Sequence, residues 1–280
     1  MSEPGPLAPA VIAAFAGWND AADAASSAID HLAEVWDATI IGEIDPDPYY
    51  DFQVNRPIVT LEDGLTRRIE WPTTRILLAT PPSAGREILL IRGIEPNMRW
   101  RDFCAELLDG IHGSGADLVV TLGALLSDAP HTRPLPVTGS ATDGVTAARM
   151  GVERSRYEGP TGIVGVFQDA CAASDLTAVS LWAHVPHYVA QAPCPRATLA
   201  LLHRVEELLD VAVPLGDLPD EADAWLASVA ELTAEDSEIA EYVAGLESRS
   251  DEGDAPEASG EQIAQDFERY LRRRGSGRQD

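Results

Sequence analysis

Short apolar segments alternate with amphipathic segments along most of the chain, and this order predicts an α/β fold. Residues 10–15 are apolar, and residues 21–35 place apolar side chains at helical spacing. The turn between these two segments contains Trp18, Asn19 and Asp20. The pattern predicts a strand, a tight turn and a helix, with Asn19 or Asp20 capping the helix through its side-chain oxygen.

The same periodicities predict further elements as far as residue 209. Strands are predicted at residues 38–44, 58–60, 66–70, 76–79, 87–91, 118–122, 163–167 and 178–183. Helices are predicted at residues 100–112, 169–174 and 196–209. Turn residues separate the short strands between 38 and 91, so this part of the sheet is expected to be antiparallel.

The last quarter of the chain differs in kind. Residues 205–280 contain 21 acidic and 6 basic residues. Helices are predicted at residues 220–232, 237–246 and 261–274, with an acidic linker at 248–259. We therefore expect an α/β core domain over residues 1–212, appended helices over 213–247, and a mobile linker and terminal helix over 248–280.

The terminal helix has an apolar face, formed by Ile263, Phe267, Tyr270 and Leu271. Two interpretations of this tail are open: a solvated appendage, or an element that docks on a partner.

Charge and composition exclude several classes of function. The 280 residues carry a net charge of −26, and all 20 basic residues are arginine. A chain this acidic repels phosphate backbones and anionic lipid surfaces, so nucleic-acid and membrane partners are not expected. Without lysine, the chain cannot form a P-loop, a Schiff base or a protein-kinase active site.

The cysteines and the N-terminus indicate a cytoplasmic protein. The three cysteines, Cys104, Cys171 and Cys194, are widely spaced, which disfavours a disulfide framework or a metal knuckle. Residues 1–6 lack the features of a signal peptide, and the longest nearly apolar run, 118–126, is too short to span a bilayer.

Two loops that follow predicted strands carry polar side chains suited to binding. In an open parallel sheet, ligands bind at the carboxyl ends of strands. The candidate pocket consists of Trp18, Asn19, Asp20, His131, Thr132 and Arg133. Arg133 would bind an anion, and His131 would act as an acid or base. The structural alternative is that Arg133 pairs with Asp128 or Asp143, while Asn19 caps a helix.

Recognised catalytic signatures are absent from the sequence, including nucleophile-elbow, dinucleotide-binding, zinc-protease and EF-hand motifs. His184 and His187 resemble a metal pair, but Pro186 breaks the helical spacing between them and no third ligand lies nearby. Cys171 has no histidine beside it in the sequence, which favours an inert thiol over a nucleophile. We expect no metal and no cofactor.

A set of short motifs in a fixed order resembles the bacterial, mainly actinobacterial, branch of the proteasome assembly chaperone 2 family. The resemblance extends over residues 10–246. The motifs are FAGWNDA (15–21), YYDFQVNRP (49–57), EWP (70–72), GIEP (93–96), Trp100 with Arg101, PHTRP (130–134) and LWAHVPHY (181–188).

This resemblance implies a core similar to the nucleoside phosphorylase/hydrolase fold, a mixed sheet flanked by helices, with a C-terminal helical appendage. It also implies homotrimers and, by similarity to eukaryotic members, a non-enzymatic role in assembly with proteasome α-subunits as partners. Proteins that dock on α-subunits typically end in a hydrophobic residue, tyrosine and one further residue, and residues 277–280 depart from that pattern. The alternative is an enzyme or sensor that binds a nucleoside-like or anionic ligand in the pocket described above.

Overall fold

The computed structural model describes residues 7–252, which form ten strands and seven α-helices. The strands are β1 (Ala10–Ala16), β2 (Thr39–Glu43), β3 (Ile58–Glu62), β4 (Thr66–Glu70), β5 (Arg75–Ala79), β6 (Ile88–Ile94), β7 (Leu118–Ser127), β8 (Val137–Ala141), β9 (Glu153–Arg154) and β10 (Thr177–Pro186). The helices are α1 (Ala24–Val35), α2 (Trp100–Ser114), α3 (Gly144–Met150), α4 (Ile163–Ala173), α5 (Pro195–Leu209), α6 (Leu218–Ala234) and α7 (Ser237–Asp251).

Eight strands form one mixed sheet in the order β2-β5-β6-β1-β7-β10-β8-β9. The four central strands, β6, β1, β7 and β10, are parallel. Their nearly continuous apolar sequences suit strands that are covered on both faces. Antiparallel strands β5 and β2 extend one side, and β8 extends the other. The mixed α/β sheet with flanking helices and C-terminal helices, predicted from the sequence, is confirmed.

Successive side chains of β1 point to opposite faces of the sheet, and each face buries a separate hydrophobic cluster. Ile12 and Ala14 pack with residues of α1 and α5. Val11, Ala13 and Phe15 pack with residues of α2 and α4. The loops at the carboxyl ends of the central strands therefore have one helical layer on each side.

One predicted strand is wrong. Residues 163–167 begin helix α4, which continues to Ala173. A short apolar run looks the same in a buried strand and on the buried side of a helix, so periodicity alone cannot separate them. The segment 137–154, which forms β8, α3 and β9, was not predicted.

The C-terminal helices are attached to the core. Val213 and Leu218 belong to the same buried cluster as Leu201 of α5. Helix α7 continues to Asp251, beyond the residue 247 at which the appended helices were predicted to end. The tail residues predicted as an interaction face lie outside the described residues: Ile263, Phe267, Tyr270 and Leu271.

Strands β3 and β4 form a separate antiparallel hairpin, and within residues 7–252 they pair with no other strand. We use the name hairpin surface for its exposed large apolar side chains and those that adjoin it. These are Val54, Ile58, Val59, Leu61, Leu65, Ile69 and Trp71.

Candidate functional site

The carboxyl ends of the central strands lie at one edge of the sheet, as the candidate pocket requires. Strands β1, β6, β7 and β10 end at Ala16, Ile94, Ser127 and Pro186. The turn 17–20 continues along β7, because the Ala124 N–H donates to the Asn19 carbonyl at 2.8 Å. This edge contains all six residues predicted as a pocket, and it divides them into two groups.

The first group surrounds the N-terminus of α4. The amide nitrogen of Asn19, Nδ2, donates to Glu95 Oε1 at 2.8 Å. The same Glu95 oxygen accepts the backbone N–H of Ile163, the first residue of α4, at 2.9 Å. A carboxylate at a helix N-terminus is stabilised by the helix dipole and by the free N–H groups there. Glu95 was missed by the site prediction, although it belongs to the GIEP motif.

The Asn19 side chain is closely surrounded. Asn19 is buried, and its Oδ1 atom has no hydrogen-bond partner among residues 7–252. A Cβ atom placed on Gly162 would lie 2.3 Å from Asn19 Oδ1. Glycine at position 162 therefore allows the backbone ahead of α4 to approach Asn19.

Asp20, the next residue, points to the other helical layer. Its carboxylate accepts the N–H groups of Ala25 at 2.6 Å and Ser26 at 3.1 Å, in the first turn of α1. Of the two predicted capping residues, Asp20 accepts the N–H groups at the start of α1, although Asp23 is the residue at the N-cap position. Burial raises the pKa of Asp20 to about 6, and the bonds from α1 only partly offset that effect. Trp18, half-buried, lies in the turn before these residues.

The second group begins at His131, which is buried against Tyr188. The His131 backbone N–H donates to the Tyr188 hydroxyl at 2.8 Å, and His131 Nδ1 lies 2.9 Å from the same oxygen. The hydroxyl can then donate to Nδ1 of a neutral imidazole. Burial lowers the pKa of His131, with Arg196 acting in the same direction, and raises the pKa of Tyr188 to about 12. This pair is uncharged at neutral pH.

Thr132 and Arg133 bind helix α7. The Arg133 guanidinium donates to both carboxylate oxygens of Asp251, at 2.9 and 2.8 Å, and lies 3.4 Å from Glu247 Oε1. The Thr132 hydroxyl donates to the same Glu247 oxygen. The alternative that paired Arg133 with Asp128 or Asp143 is therefore wrong. The true partners lie 114 to 118 positions away in the chain, beyond the reach of local pattern analysis.

Asp128 and Asp143 have other roles. Asp128 accepts the Tyr242 hydroxyl of α7 at 3.0 Å and lies 3.3 Å from His187 Nδ1. Asp143 caps α3 through the N–H groups of Val145 and Thr146. We call residues 128–133 together with His187 and Tyr188 the α7 seat, because these residues support α7.

Aromatic contacts complete the α7 seat. The rings of His187 and Tyr188 each meet the Tyr242 ring edge to face, with centroids 5.6 and 6.1 Å apart. Val243 and Leu246 are the buried apolar residues of α7. The helix is thus held by a few apolar side chains and a larger number of polar contacts.

Asn19 and Arg133 face different helical layers, and Asp20 faces the same layer as Arg133. Asn19 contacts Glu95 and the start of α4, which covers one face of the sheet. Arg133 lies beside the start of α5, which covers the other face, because Arg196 Nη2 donates to the Arg133 carbonyl at 3.1 Å. Both Asn19 and Arg133 make hydrogen bonds within the chain, although Asn19 Oδ1 has no partner among residues 7–252.

His184 and His187 have separate surroundings. His184 is fully buried, with Nε2 3.3 Å from the Thr138 hydroxyl, and burial lowers its pKa to about 4. His187 instead faces Asp128 and the α7 seat. Within the described residues, no group of three or more His, Cys, Asp or Glu side chains could hold a metal ion.

The cysteines are buried free thiols. Burial raises the pKa of Cys171 to about 12 and the pKa values of Cys104 and Cys194 to about 11. Thiols protonated so strongly are poor nucleophiles.

A buried polar network crosses the sheet where the sequence analysis gave no site. The Thr121 and Ser180 hydroxyls are 2.7 Å apart, and Ser180 donates to Gln168 Oε1 at 2.6 Å. The hydroxyl residues inside otherwise apolar strands were the sequence feature that could have predicted this network. The network joins β7, β10 and α4, and it is satisfied by its own members and by the Ser140 carbonyl.

Comparison with known proteins supports the family resemblance carried by these motifs. The family model described as the PAC2 family matches residues 14–233. This range includes the strand edge and the α7 seat. The chain belongs to the PAC2 family. A comparison with curated proteins finds no match.

Solved structures of other PAC2-type proteins are similar to this chain over most of its length. A PAC2 family protein from Streptomyces avermitilis is 55% identical, with 84% of this chain and 99% of that chain covered and a TM-score of 0.80. A proteasome-assembly chaperone homologue from Mycobacterium tuberculosis is 56% identical over the same shares, with a TM-score of 0.77.

A more distant structure shares the fold. It is PbaB of Pyrococcus furiosus, described as an archaeal proteasome activator, which is 14% identical with a TM-score of 0.61 and covers 82% of this chain and 96% of its own. No helix within the described part of this PAC2 chain is long and apolar enough to span a membrane.

Proposed function

We propose that this PAC2 protein is a non-enzymatic, proteasome-assembly-chaperone-like interaction protein of the cytoplasm, which acts as a homo-oligomer and binds proteasome α-subunits. The observation that carries the proposal is that the polar groups of the strand edge, apart from the Oδ1 atom of Asn19, bind other groups of the same chain. Arg133 binds Asp251 and Glu247, and Asp20 binds the start of α1. Such an edge supports a surface for contact more readily than an open catalytic pocket.

The comparisons support the choice of partner. The Mycobacterium tuberculosis relative, 56% identical, is described as a proteasome-assembly chaperone homologue. A homotrimer is the arrangement implied by the family resemblance, and it is part of this proposal. No cofactor, nucleic acid or membrane is required.

The surface proposed for the α-subunits is the outer side of α6 and α7. Residues 217–252 contain twelve acidic residues and one basic residue. Leu232 of α6 is 62% exposed within this acidic region. An apolar side chain surrounded by carboxylates fits a basic partner surface with a small apolar depression.

Capture of proteasome α-subunits by the full-length protein tests the proposal. We expect wild-type protein to retain α-subunits from a lysate of its own host, and Leu232→Asp to retain about 10-fold less. The matched control is Val145→Asp, since Val145 is 80% exposed but lies on α3, outside both proposed contact surfaces. Failure of the wild-type protein to retain any α-subunit would contradict the proposal.

The tail is tested separately. A chain that ends at residue 252 lacks Ile263, Phe267, Tyr270 and Leu271. If these residues dock on the α-subunits, the shortened chain loses capture. Unchanged capture would assign docking to the described helices.

A second candidate function is supported by the buried, unpartnered Oδ1 atom of Asn19 beside the N-terminus of α4. A small polar or nucleoside-like ligand would donate a hydrogen bond to this atom. Native mass spectrometry of protein from its own host would detect such a ligand, and Asn19→Ala would lose it. An anionic ligand would compete with Asp251 and Glu247 for Arg133, whose side chain is 36% exposed, so Arg133→Ala tests the anionic alternative.

A further inference from the structure

Exposed apolar side chains are concentrated in one part of the molecule. In the part of the chain that the structure describes, 15 large hydrophobic residues are exposed, and nine of them lie between residues 40 and 71. Seven of these nine form the hairpin surface. Scattered single apolar residues are normal on protein surfaces, whereas a concentration of this kind marks a contact site.

The pairing of β3 with β4 places three of these seven side chains on one side of the hairpin. Val59 is opposite Ile69, and Leu61 is opposite Arg67. Because alternate residues share a face, these four side chains lie together. Val59, Ile69 and Leu61 are 46%, 53% and 61% exposed, so one apolar face of the hairpin is uncovered.

A two-stranded hairpin is at best marginally stable in water, and it usually needs a further strand or a packed surface. Residues 63–71 are all exposed, and Trp71 at the base of β4 contacts Phe52 with ring centroids 4.9 Å apart. The hairpin therefore lacks a covering layer of its own. Its 18 residues, 54–71, approach the roughly 20–30 residues that each partner contributes to an interface of standard size.

The net charge of the hairpin indicates which molecule covers the hairpin surface. Residues 54–71 contain three arginines and three acidic residues, a net charge of zero, whereas the other 262 residues carry −26. Two copies of so acidic a chain repel each other over most of their surface. The hairpin segment can meet a second copy without that repulsion, and its arginines are complementary to the acidic remainder.

We propose that the hairpin surface is the contact through which copies of this chain associate. The inference rests on the homo-oligomer included in the proposed function, and it identifies the surface. In a ring of three, each contact joins two different patches, so the hairpin of one copy would lie against another region of the next copy. Arg67, which shares a face with Val59, Leu61 and Ile69, would then face carboxylates of the neighbour.

Leu61→Asp tests the contact, with Leu232→Asp as its control, because these leucines are 61% and 62% exposed. Burying a carboxylate in an apolar contact is unfavourable, so we expect Leu61→Asp to weaken self-association about 100-fold or more. Leu232→Asp should associate as the wild type does. The measurement is the dissociation constant from native mass spectrometry and light scattering on a dilution series, with circular dichroism to verify folding.

Three results would overturn the proposal: a wild type that stays monomeric at 100 µM (about 3 mg/mL for this 30.0 kDa chain), a Leu61→Asp variant that associates normally, or equal weakening by Leu232→Asp. A chain that ends at residue 252 tests whether the tail, and not a second copy's folded part, covers the hairpin surface. If it becomes monomeric while Leu61→Asp does not, the tail and not the hairpin joins the copies.

Hydrogen exchange on the wild type gives a test that needs no substitution. Amides of residues 58–70 should exchange about 10-fold more slowly in the oligomer than after dilution to monomer, and equal rates would contradict the proposal. Because these measurements use the protein alone, they stand apart from α-subunit binding. Capture of α-subunits by a monomeric Leu61→Asp variant would leave the chaperone-like function intact.

Discussion

Helix α7 and the β3–β4 hairpin both lie outside the eight-stranded sheet, but the chain treats them differently. Helix α7 carries carboxylates, and the α7 seat provides Arg133, Thr132 and Tyr188 to receive the helix. The hairpin carries apolar side chains, and they remain exposed. The carboxylates of α7 on the side that faces the core find partners in the same chain, whereas the apolar side chains of the nearly neutral hairpin find none there. We infer that the hairpin side chains are covered by a second molecule.

Truncating one leucine in each region gives the largest expected difference. Leu246 of α7 is 1% exposed, and Leu246→Ala should weaken the docking of α7 by about 2–4 kcal/mol, because it leaves a cavity. Leu61→Ala in the hairpin should change the stability of the monomer by about 0.5 kcal/mol or less, since Leu61 is exposed. Hydrogen exchange of α7 and chemical unfolding measure the two effects, and similar costs would contradict the comparison.

The buried histidine His184 should make the free energy of unfolding depend on pH. Burial lowers the pKa of His184 to about 4, below the ordinary value near 6.5. The unfolded chain therefore binds a proton at this site before the folded chain does, and stability is lost as the pH falls from 6.5 towards 4. Between pH 7 and 5 the loss is about 2 kcal/mol, and His184→Gln should remove it.

Asp20 provides the control of opposite sign. Its pKa is raised to about 6, so the folded protein binds a proton that the unfolded chain takes up only near pH 4. Acidification from pH 7 to 5 then stabilises the fold by about 1 kcal/mol through this group. Asp20→Asn should lose that gain, which makes its pH profile steeper than that of the wild type. Urea unfolding at both pH values measures each slope.

Removing the main cation of the α7 seat gives a smaller effect. Arg133→Ala leaves Asp251 without its partner and Glu247 with the Thr132 hydroxyl, so we expect α7 amides to exchange about 10-fold faster. Arg249→Ala is the control, because its guanidinium is 4.0 Å from Asp128 and 54% exposed, and its loss should change exchange by less than about 2-fold. The hairpin amides should be unaffected, and a simultaneous change there would argue that the two regions are coupled.

Added salt should weaken the docking of α7 and strengthen self-association through the hairpin. Both effects should be smaller than those of the substitutions above. Raising NaCl from about 0.05 to 0.5 M screens the carboxylate contacts of α7, so its exchange should accelerate about 3-fold. The same screening reduces the repulsion between two chains that each carry −26, and this should outweigh the screening of the hairpin arginines, so self-association through the hairpin should tighten by about 3-fold. Exchange and dilution measurements at both salt concentrations check this, and changes of equal sign would contradict it.

The apolar periodicity of the sequence was enough to predict the elements in which that periodicity extends over many residues. The strand at 10–15 and the helices at 21–35, 100–112 and 196–209 lie close to the observed β1, α1, α2 and α5. The apolar run at 163–167 failed because five residues do not distinguish strand from helix. For these segments, length decided whether periodicity was informative.

The candidate site was harder to predict because its contacts are distant in sequence. Loop position after a strand correctly placed His131 and Asn19 at the strand edge. The contacts Arg133–Asp251 and Asn19–Glu95 join residues 118 and 76 positions apart, and only the folded chain brings them together. The predicted pocket residues remain a hypothesis for ligand binding, and α7 binds two of them, Thr132 and Arg133.

The burial of all three cysteines makes the chain unusually easy to label at a chosen position. The native thiols are enclosed and strongly protonated, and the chain has no lysine amine to compete. A substitution such as Leu65→Cys, at a position 88% exposed in the turn of the hairpin, would create one readily accessible thiol without removal of the others. A fluorophore or spin label attached there would report directly on the environment of the hairpin.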